Sequence, residues 1–265
     1  MQKKNYLSPE EQILFTTIQT VDVITHDHIK ELFPTYASQK INKLCHTLLS
    51  KGYLYPLKRG VYLINDIPST QPLIKNPFLI TPYISTGYLG FSSALRLYDL
   101  IDYESFTLFI VTTNKSQETQ IGNYLFKTVA IGKKATGTTF FKNVYVSTIE
   151  KTIFDCFYKP QYAGGYRELV KALTNINKIN WNQVLTYFTK FASDALHQRT
   201  GYILDLMHQQ HLIHLPASLL QEFQKRIRNN TKLLPEGPPH GTYHKKWKLL
   251  DNLGETNILA GVKPL

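Results

Sequence analysis

The chain has 265 residues, of which 43% are hydrophobic and 18% charged, with a formal net charge of +11. That length suits one small and one medium domain, and the ordinary composition argues against disorder. The N-terminus lacks a leader-like apolar run and no segment approaches the roughly 18 apolar residues of a membrane span, so the expectation is a cytoplasmic protein without a membrane partner. Cys45 and Cys156 are the two cysteines, each inside an apolar helical pattern and far apart in sequence, so neither a disulfide framework nor a Cys-based zinc site is indicated. The cationic surplus favours a polyanion partner.

Ser8-Pro9-Glu10-Glu11 joins an N-cap serine, a proline at the first helical position and a glutamate at the third, and so starts a helix in which Ile13, Leu14, Ile18 and Val21 sit near one face. A second, short helix spans Thr25 to Phe33, with Ile29, Leu32 and Phe33 apolar, before Pro34 stops it. The spacing predicts a third helix from about Ala37 to Lys51. It has Ile41, Leu44, Cys45, Leu48 and Leu49 inward and Gly52 at its end. Residues 53–57 and Val61 to Ile64 flank Lys58-Arg59-Gly60 as a β-hairpin. Three helices and a hairpin in this order make residues 1–66 a winged helix-turn-helix, and the hairpin is its wing.

In such a motif the third helix enters the major groove. Its outward residues are Ser38, Gln39, Lys40, Asn42, Lys43 and His46, and Lys58 and Arg59 stand at the wing tip. Asn and Gln pair with adenine, Lys reaches guanine or phosphate, and Ser bonds either. Residues 36–65 hold five cations and no acid, whereas residues 1–35 hold three lysines against five acids. A basic helix face taken alone is ordinary solvated surface. Helix order, hairpin and charge polarity together favour double-stranded DNA.

Residues 67–82 read as a linker or extended segment, and residues 83–265 as a larger mixed α/β domain, which makes the fold class α+β. Ser92 to Tyr98 opens a helix, and three β-rich runs follow: Phe106 to Thr113, Tyr124 to Ile131 and Phe140 to Val146. Ser147-Thr148-Ile149-Glu150 reads as a capping box, starting a helix with Ile149, Ile153, Phe154 and Phe157 buried. Further helices fit Tyr166 to Leu173, Trp181 to Phe191, Ser193 to Gln210 and Ala217 to Arg228. The stretch from Asn229 to Leu265 is expected to wrap the surface, anchored by Trp247.

The winged helix, Tyr83-Ile84-Ser85 through Ser93-Ala94-Leu95, and Val146 through Asp155 resemble the AbiEi antitoxin family of type IV abortive-infection toxin–antitoxin systems. Ala163-Gly164-Gly165-Tyr166, Arg199 through Leu204 and Lys246-Trp247-Lys248 fit as well, so the resemblance covers nearly the whole chain. It implies a transcriptional autorepressor that binds operator repeats. It also implies a second domain that counteracts a nucleotidyltransferase-like toxin, as part of phage defence, without a stable complex. The alternatives are an enzyme whose second domain modifies the toxin or reverses its action, and a stand-alone transcription factor responsive to a ligand or partner.

No cofactor, metal or catalytic residue is assigned. Glu150, Lys151 and Asp155 read as a helix-surface cluster used for capping and ion pairing rather than acid–base work. Gly132 through Thr139 has the outer glycine spacing of a phosphate loop, but Thr138 stands where its lysine belongs, and it reads as a hairpin. Lys127, Lys133, Lys134 and Lys142 in an acid-free stretch mark a possible second polyanion surface, with plain solvated surface favoured. His208, His211 and His214, with Asp205, have metal-like spacing but no recognised metal motif.

Overall fold

The computed structural model describes residues 6–262. Residues 1–5, with Lys3 and Lys4 of the charge count, and residues 263–265, the end of the expected C-terminal wrap, lie outside the described residues. The first helices and strands are α1 (Pro9–Ile18), β1 (Val23–Thr25), α2 (His26–Leu32), α3 (Ser38–Ser50), β2 (Leu54–Lys58), β3 (Val61–Ile64), α4 (Thr81–Ile84), β4 (Tyr88–Leu89) and α5 (Phe91–Leu97). Next come β5 (Thr107–Thr112), β6 (Gln117–Ile121), β7 (Tyr124–Ala130), β8 (Thr138–Phe141), β9 (Val144–Ser147), α6 (Ile149–Tyr158) and α7 (Gly165–Thr174). The chain ends with α8 (Trp181–Phe191), α9 (Asp194–Gln209), α10 (Ala217–Gln224), β10 (Thr231–Lys232), β11 (Thr242–His244), β12 (Leu249–Asp251) and α11 (Glu255–Ile258). The fold is α+β. Contacts group the chain into two compact units, residues up to Gly87 together with Phe106–Ala130, and Tyr88–Ser105 together with residues from Ile131 onward. This grouping interleaves stretches of chain, where the sequence reading divides it serially at residues 66 and 82.

The first unit begins with the winged helix-turn-helix. Ser8 caps α1 as its residue types dictate: Ser8 Oγ accepts from the Glu11 amide and Glu11 Oε2 accepts from the Ser8 amide. α1 stops at Ile18, so Ile13 and Val21, expected inward, are exposed, and Phe15 joins Leu14 and Ile18 in the core. Leu32 of α2 is likewise exposed, leaving Ile29 as that helix's buried anchor. In α3, Ile41, Leu44, Cys45 and Leu48 are buried as the periodicity predicts, and Leu49 is half-buried. β1 is too short to show in the pattern; it pairs with β3, which pairs with β2, giving the order β1-β3-β2. Pro56 is tolerated because β2 is the edge strand. The start of the expected linker is folded back on a buried Asn65, whose Nδ2 lies 3.0–3.3 Å from the carbonyls of Gly52, Ser69 and Gln71. Its Oδ1 accepts from the Leu73 amide. Later in the same unit β7 pairs parallel with β5 and antiparallel with β6, a strand the sequence reading missed.

In the second unit β9 pairs parallel with β4 and antiparallel with β8. The third β-rich run is therefore two strands, split where Lys142 and Asn143 take positive φ values of 47° and 65°. The Gly132 stretch is not a hairpin: Gly132–Lys134 form a 3-10 turn and Thr138 starts β8. The cap of α6 lies one residue later than the box predicts. Thr148 accepts from the Lys151 amide, while Ser147, buried at the end of β9, pairs with Thr152 at 2.6 Å. The C-terminal stretch contributes core rather than wrapping. Trp247 is buried with its Nε1 donating to Asp205 at 2.7 Å, beside the sheet β10-β12-β11. Gly201 makes this possible, because a Cβ there would stand 2.2 Å from the indole. Cys45 and Cys156 are both free and buried.

The centre of this unit holds a charge pair where the sequence reading placed a surface cluster. Lys151 and Asp155, one turn apart on α6, are both 0% exposed, and the ammonium donates to the carboxylate. Lys151 Nζ also donates to Tyr88 Oη at 3.2 Å, and that hydroxyl donates to Asp155 at 3.3 Å. Burial pushes the Asp155 carboxyl up, to about 6, against the pull of Lys151 and Tyr88, and pushes the Lys151 ammonium down. Glu150 is separate from this pair; it accepts from the Asn180 amide. Removing one member of a buried pair strands the other charge, at about 3–5 kcal/mol. Lys151→Met is therefore expected to lower the urea midpoint sharply, and Lys151→Met with Asp155→Leu to recover most of the loss. A Lys151→Met protein as stable as its parent would contradict the arrangement.

Candidate nucleic-acid interface

The buried stripe of α3 leaves the opposite side of the helix exposed. Ser38, Gln39, Asn42, Lys43 and His46 are all exposed there, and Lys58 and Arg59 are exposed at the hairpin end. Lys40 lies on the flank instead. Its ammonium is 2.5 Å from Glu10 of α1 and 4.1 Å from the centre of the Tyr36 ring, and the Glu10 hydrogen bond raises its pKa. Lys51 turns the same way and meets Glu11 at 2.5 Å. Two of the five cations in residues 36–65 are thus matched by the acids of the first helix. Lys43, Lys58 and Arg59 have no acidic partner among the described residues, and Lys58 stands 5.9 Å from the Tyr83 ring centre.

One residue that the sequence reading missed ties the helix to the wing. His26, the first residue of α2, donates from Nε2 to Asn42 Oδ1 at 2.6 Å, and its backbone amide donates to the Gly60 carbonyl at 2.8 Å. The imidazole therefore holds the Asn42 amide in one orientation, while the main chain of the same residue holds the turn that presents Lys58 and Arg59. Asn42 Oδ1 keeps a second lone pair and Nδ2 keeps both protons, the set that paired recognition of adenine needs. Gly60 sits at φ 72°, which closes the turn. No spacing rule finds His26, since its partner is sixteen residues away; a polar residue right after the Thr25 cap was the available signal.

The other candidate sites resolve separately. Asp205 is occupied by Trp247 and by Lys246 at 2.6 Å, and His208 bonds the Ile213 carbonyl at 3.3 Å. No metal-competent group of three or more ligands occurs among the described residues. The lysines of the acid-free stretch divide: Lys127 pairs with Glu118 at 2.6 Å and Lys142 with Asp99 at 2.8 Å, which leaves Lys133 and Lys134. No helix among the described residues is long and apolar enough to cross a membrane.

No protein-family model and no curated protein matches the sequence. Among solved structures the chain is similar to one titled crystal structure of RV2827C protein from Mycobacterium tuberculosis. The TM-score is 0.67 and the identity 14%, over 94% of this chain and 92% of that one. At that identity the likeness concerns the fold.

The largely buried Glu11–Lys51 pair has a pH signature. Burial raises the Glu11 carboxyl, but the bonds from Lys51 and Ser8 outweigh it and hold the group below its ordinary 4.5. A lowered carboxyl stabilises above its unfolded pKa and loses that contribution as pH falls through the folded one. Lys51→Met is expected to cost about 1 kcal/mol at pH 7. The difference from the parent should shrink as pH drops below 4.5; a difference independent of pH in urea titrations would refute the pairing.

Proposed function

We propose that the protein is a DNA-binding transcriptional autorepressor and the antitoxin of a type IV toxin–antitoxin system. The observation that carries the DNA-binding part is the surface made by α3 and the hairpin. Asn42 and the wing turn are both fastened to His26, and Lys43, Lys58 and Arg59 are free of acids. This fits a helix that reads base edges and a wing that holds phosphates. The antitoxin part is supported by the resemblance of the Val146–Asp155, Gly164-Gly165, Arg199–Leu204 and Trp247 segments to the AbiEi family. On that reading the protein counteracts a nucleotidyltransferase-like toxin without forming a stable complex, in the cytoplasm, and acts without a catalytic step or cofactor of its own.

Footprinting on the DNA upstream of the protein's own gene tests the first part. A compact winged helix makes few base contacts, so two copies are expected on repeats whose centres lie about 10 base pairs, or a multiple, apart. Absence of any protected repeat would count against autorepression. For the second part, Lys58→Ala with Arg59→Ala is expected to rescue cells from the cognate toxin while losing repression; failure of rescue by this folded variant would count against the antitoxin assignment.

The same double variant should weaken binding to every sequence and flatten the salt dependence by roughly one unit per lost phosphate contact. His26→Ala and Asn42→Ala should instead narrow the preference for operator over scrambled DNA, the former by about 0.5–1.5 kcal/mol, the worth of one hydrogen bond. Competition titrations measure both. Unchanged affinity and salt slope in the double variant would make the hairpin a strut rather than a DNA contact.

A further inference from the structure

The second unit contains a cleft of about 360 Å³ whose cations have no counter-charge. Tyr158, Tyr166 and Phe191 supply aromatic surface, Lys134 and Arg199 supply positive charge, and no carboxylate lines it. Several other lysines of this unit meet acids, Lys142 with Asp99, Lys171 with Glu168 and Lys225 with Glu222. Lys134 instead holds its ammonium 5.2 Å from the centre of the Tyr158 ring. Arg199 is fixed from behind, with Nε donating to the Lys232 carbonyl at 2.8 Å and Nη2 to Thr231 Oγ1 at 3.3 Å, so Nη1 has no partner among the described residues.

The cleft is continuous with a larger one of about 720 Å³, since Gln161, Tyr166 and Pro235 line both. The larger cleft has mostly apolar walls, includes Gly164 and Gly165 at the start of α7, and is also lined by Arg167 and Glu236. Together they provide room for a ring system beside the paired cations, in the size range of small-molecule sites.

We propose that this cleft binds a small organic phosphate carrying a flat ring, a nucleoside monophosphate in class. The phosphoryl group bonds Lys134 and the free edge of Arg199, and the ring lies against the aromatic wall. Arg supplies a planar fork suited to phosphate and Lys a mobile point charge, a combination that neutralises a dianion. The inference is independent of the DNA-binding reading, since every residue it uses belongs to the second unit.

Isothermal titration calorimetry of the full chain with each of the four nucleoside 5′-monophosphates tests it, with the four nucleosides and inorganic phosphate as separate arms. At least one monophosphate is expected to bind in the micromolar range, and the matching nucleoside and phosphate alone about tenfold or more weaker. Lys134→Gln should weaken the monophosphate by about tenfold. Lys134 makes no ion pair among the described residues, so this variant keeps its fold, and its Tm verifies that. Arg199→Lys should weaken it as well, by loss of the fork. No binding by any of the four at millimolar concentration, or Lys134→Gln binding as tightly as the parent, would overturn the site. Inorganic phosphate binding as tightly as the best monophosphate would overturn the assignment of a ring-bearing ligand.

Discussion

The apolar stripe Ile41, Leu44, Cys45 and Leu48 decides which way α3 faces, and the candidate interface follows from it. Fully burying an aliphatic side chain contributes about 1.5–3 kcal/mol, so turning the helix far enough to hide Asn42 and Lys43 would forfeit several such contributions and bury polar groups in exchange. The rest of the small core holds the stripe in place: Leu14, Phe15 and Ile18 from α1, Ile29 from α2, and Leu54 and Ile64 from the hairpin. Because the hairpin shares that core with α3, wing and helix are positioned by the same packing. His26 then sets the finer detail, the orientation of one amide and the anchoring of one turn.

Charge has a second layer of organisation on this scaffold. The acids of α1 meet Lys40 and Lys51, which face away from the exposed side of α3. Exposed pairs of this kind contribute little against solvent screening, so Lys40 is held only weakly and can leave Glu10 for a stronger anion. Lys51 is different, because Glu11 is largely buried and also closes the capping box. The acidic first helix therefore does two things: it secures the packing of α3 through Lys51, and it confines unmatched charge to Lys43 and the wing.

How much of this could be read from the sequence depended on whether the deciding contact was local. Ser8 with Glu11, the four core positions of α3, Gly52 and the hairpin are short-range features and were legible. The end of α1 was not, because Val21 continues the apolar pattern although the helix has already closed at Gln19. Ser147 and Thr148 are equally able to cap α6, and the choice is made by β9, which keeps Ser147 in the sheet core. The split between β8 and β9 carries no glycine to announce it. Lys151 and Asp155 look like an exposed one-turn ion pair; what buries them is Tyr88, more than sixty residues away, together with the aromatic side chains of α6 and α8. His26 and Asn42 met the same obstacle on the smaller scale of the winged helix.

The net charge of +11 on its own distinguishes little, since basic proteins need no polyanion partner. What discriminates is which cations the fold leaves without an acid. At several places the chain matches them, at the surface with Asp99, Glu118 and Glu222 and in the interior with Asp155. An unmatched cation raises the local potential and leaves a place for an anion from outside. Among the described residues Lys43, Lys58 and Arg59 in the first unit, and Lys134 and Arg199 in the second, are such groups. Hydrogen-bonding amides accompany the first set and, on the proposed reading, meet base edges next to a phosphate backbone. Aromatic rings in an open cleft accompany the second and, on the proposal above, meet a single ring next to a single phosphate.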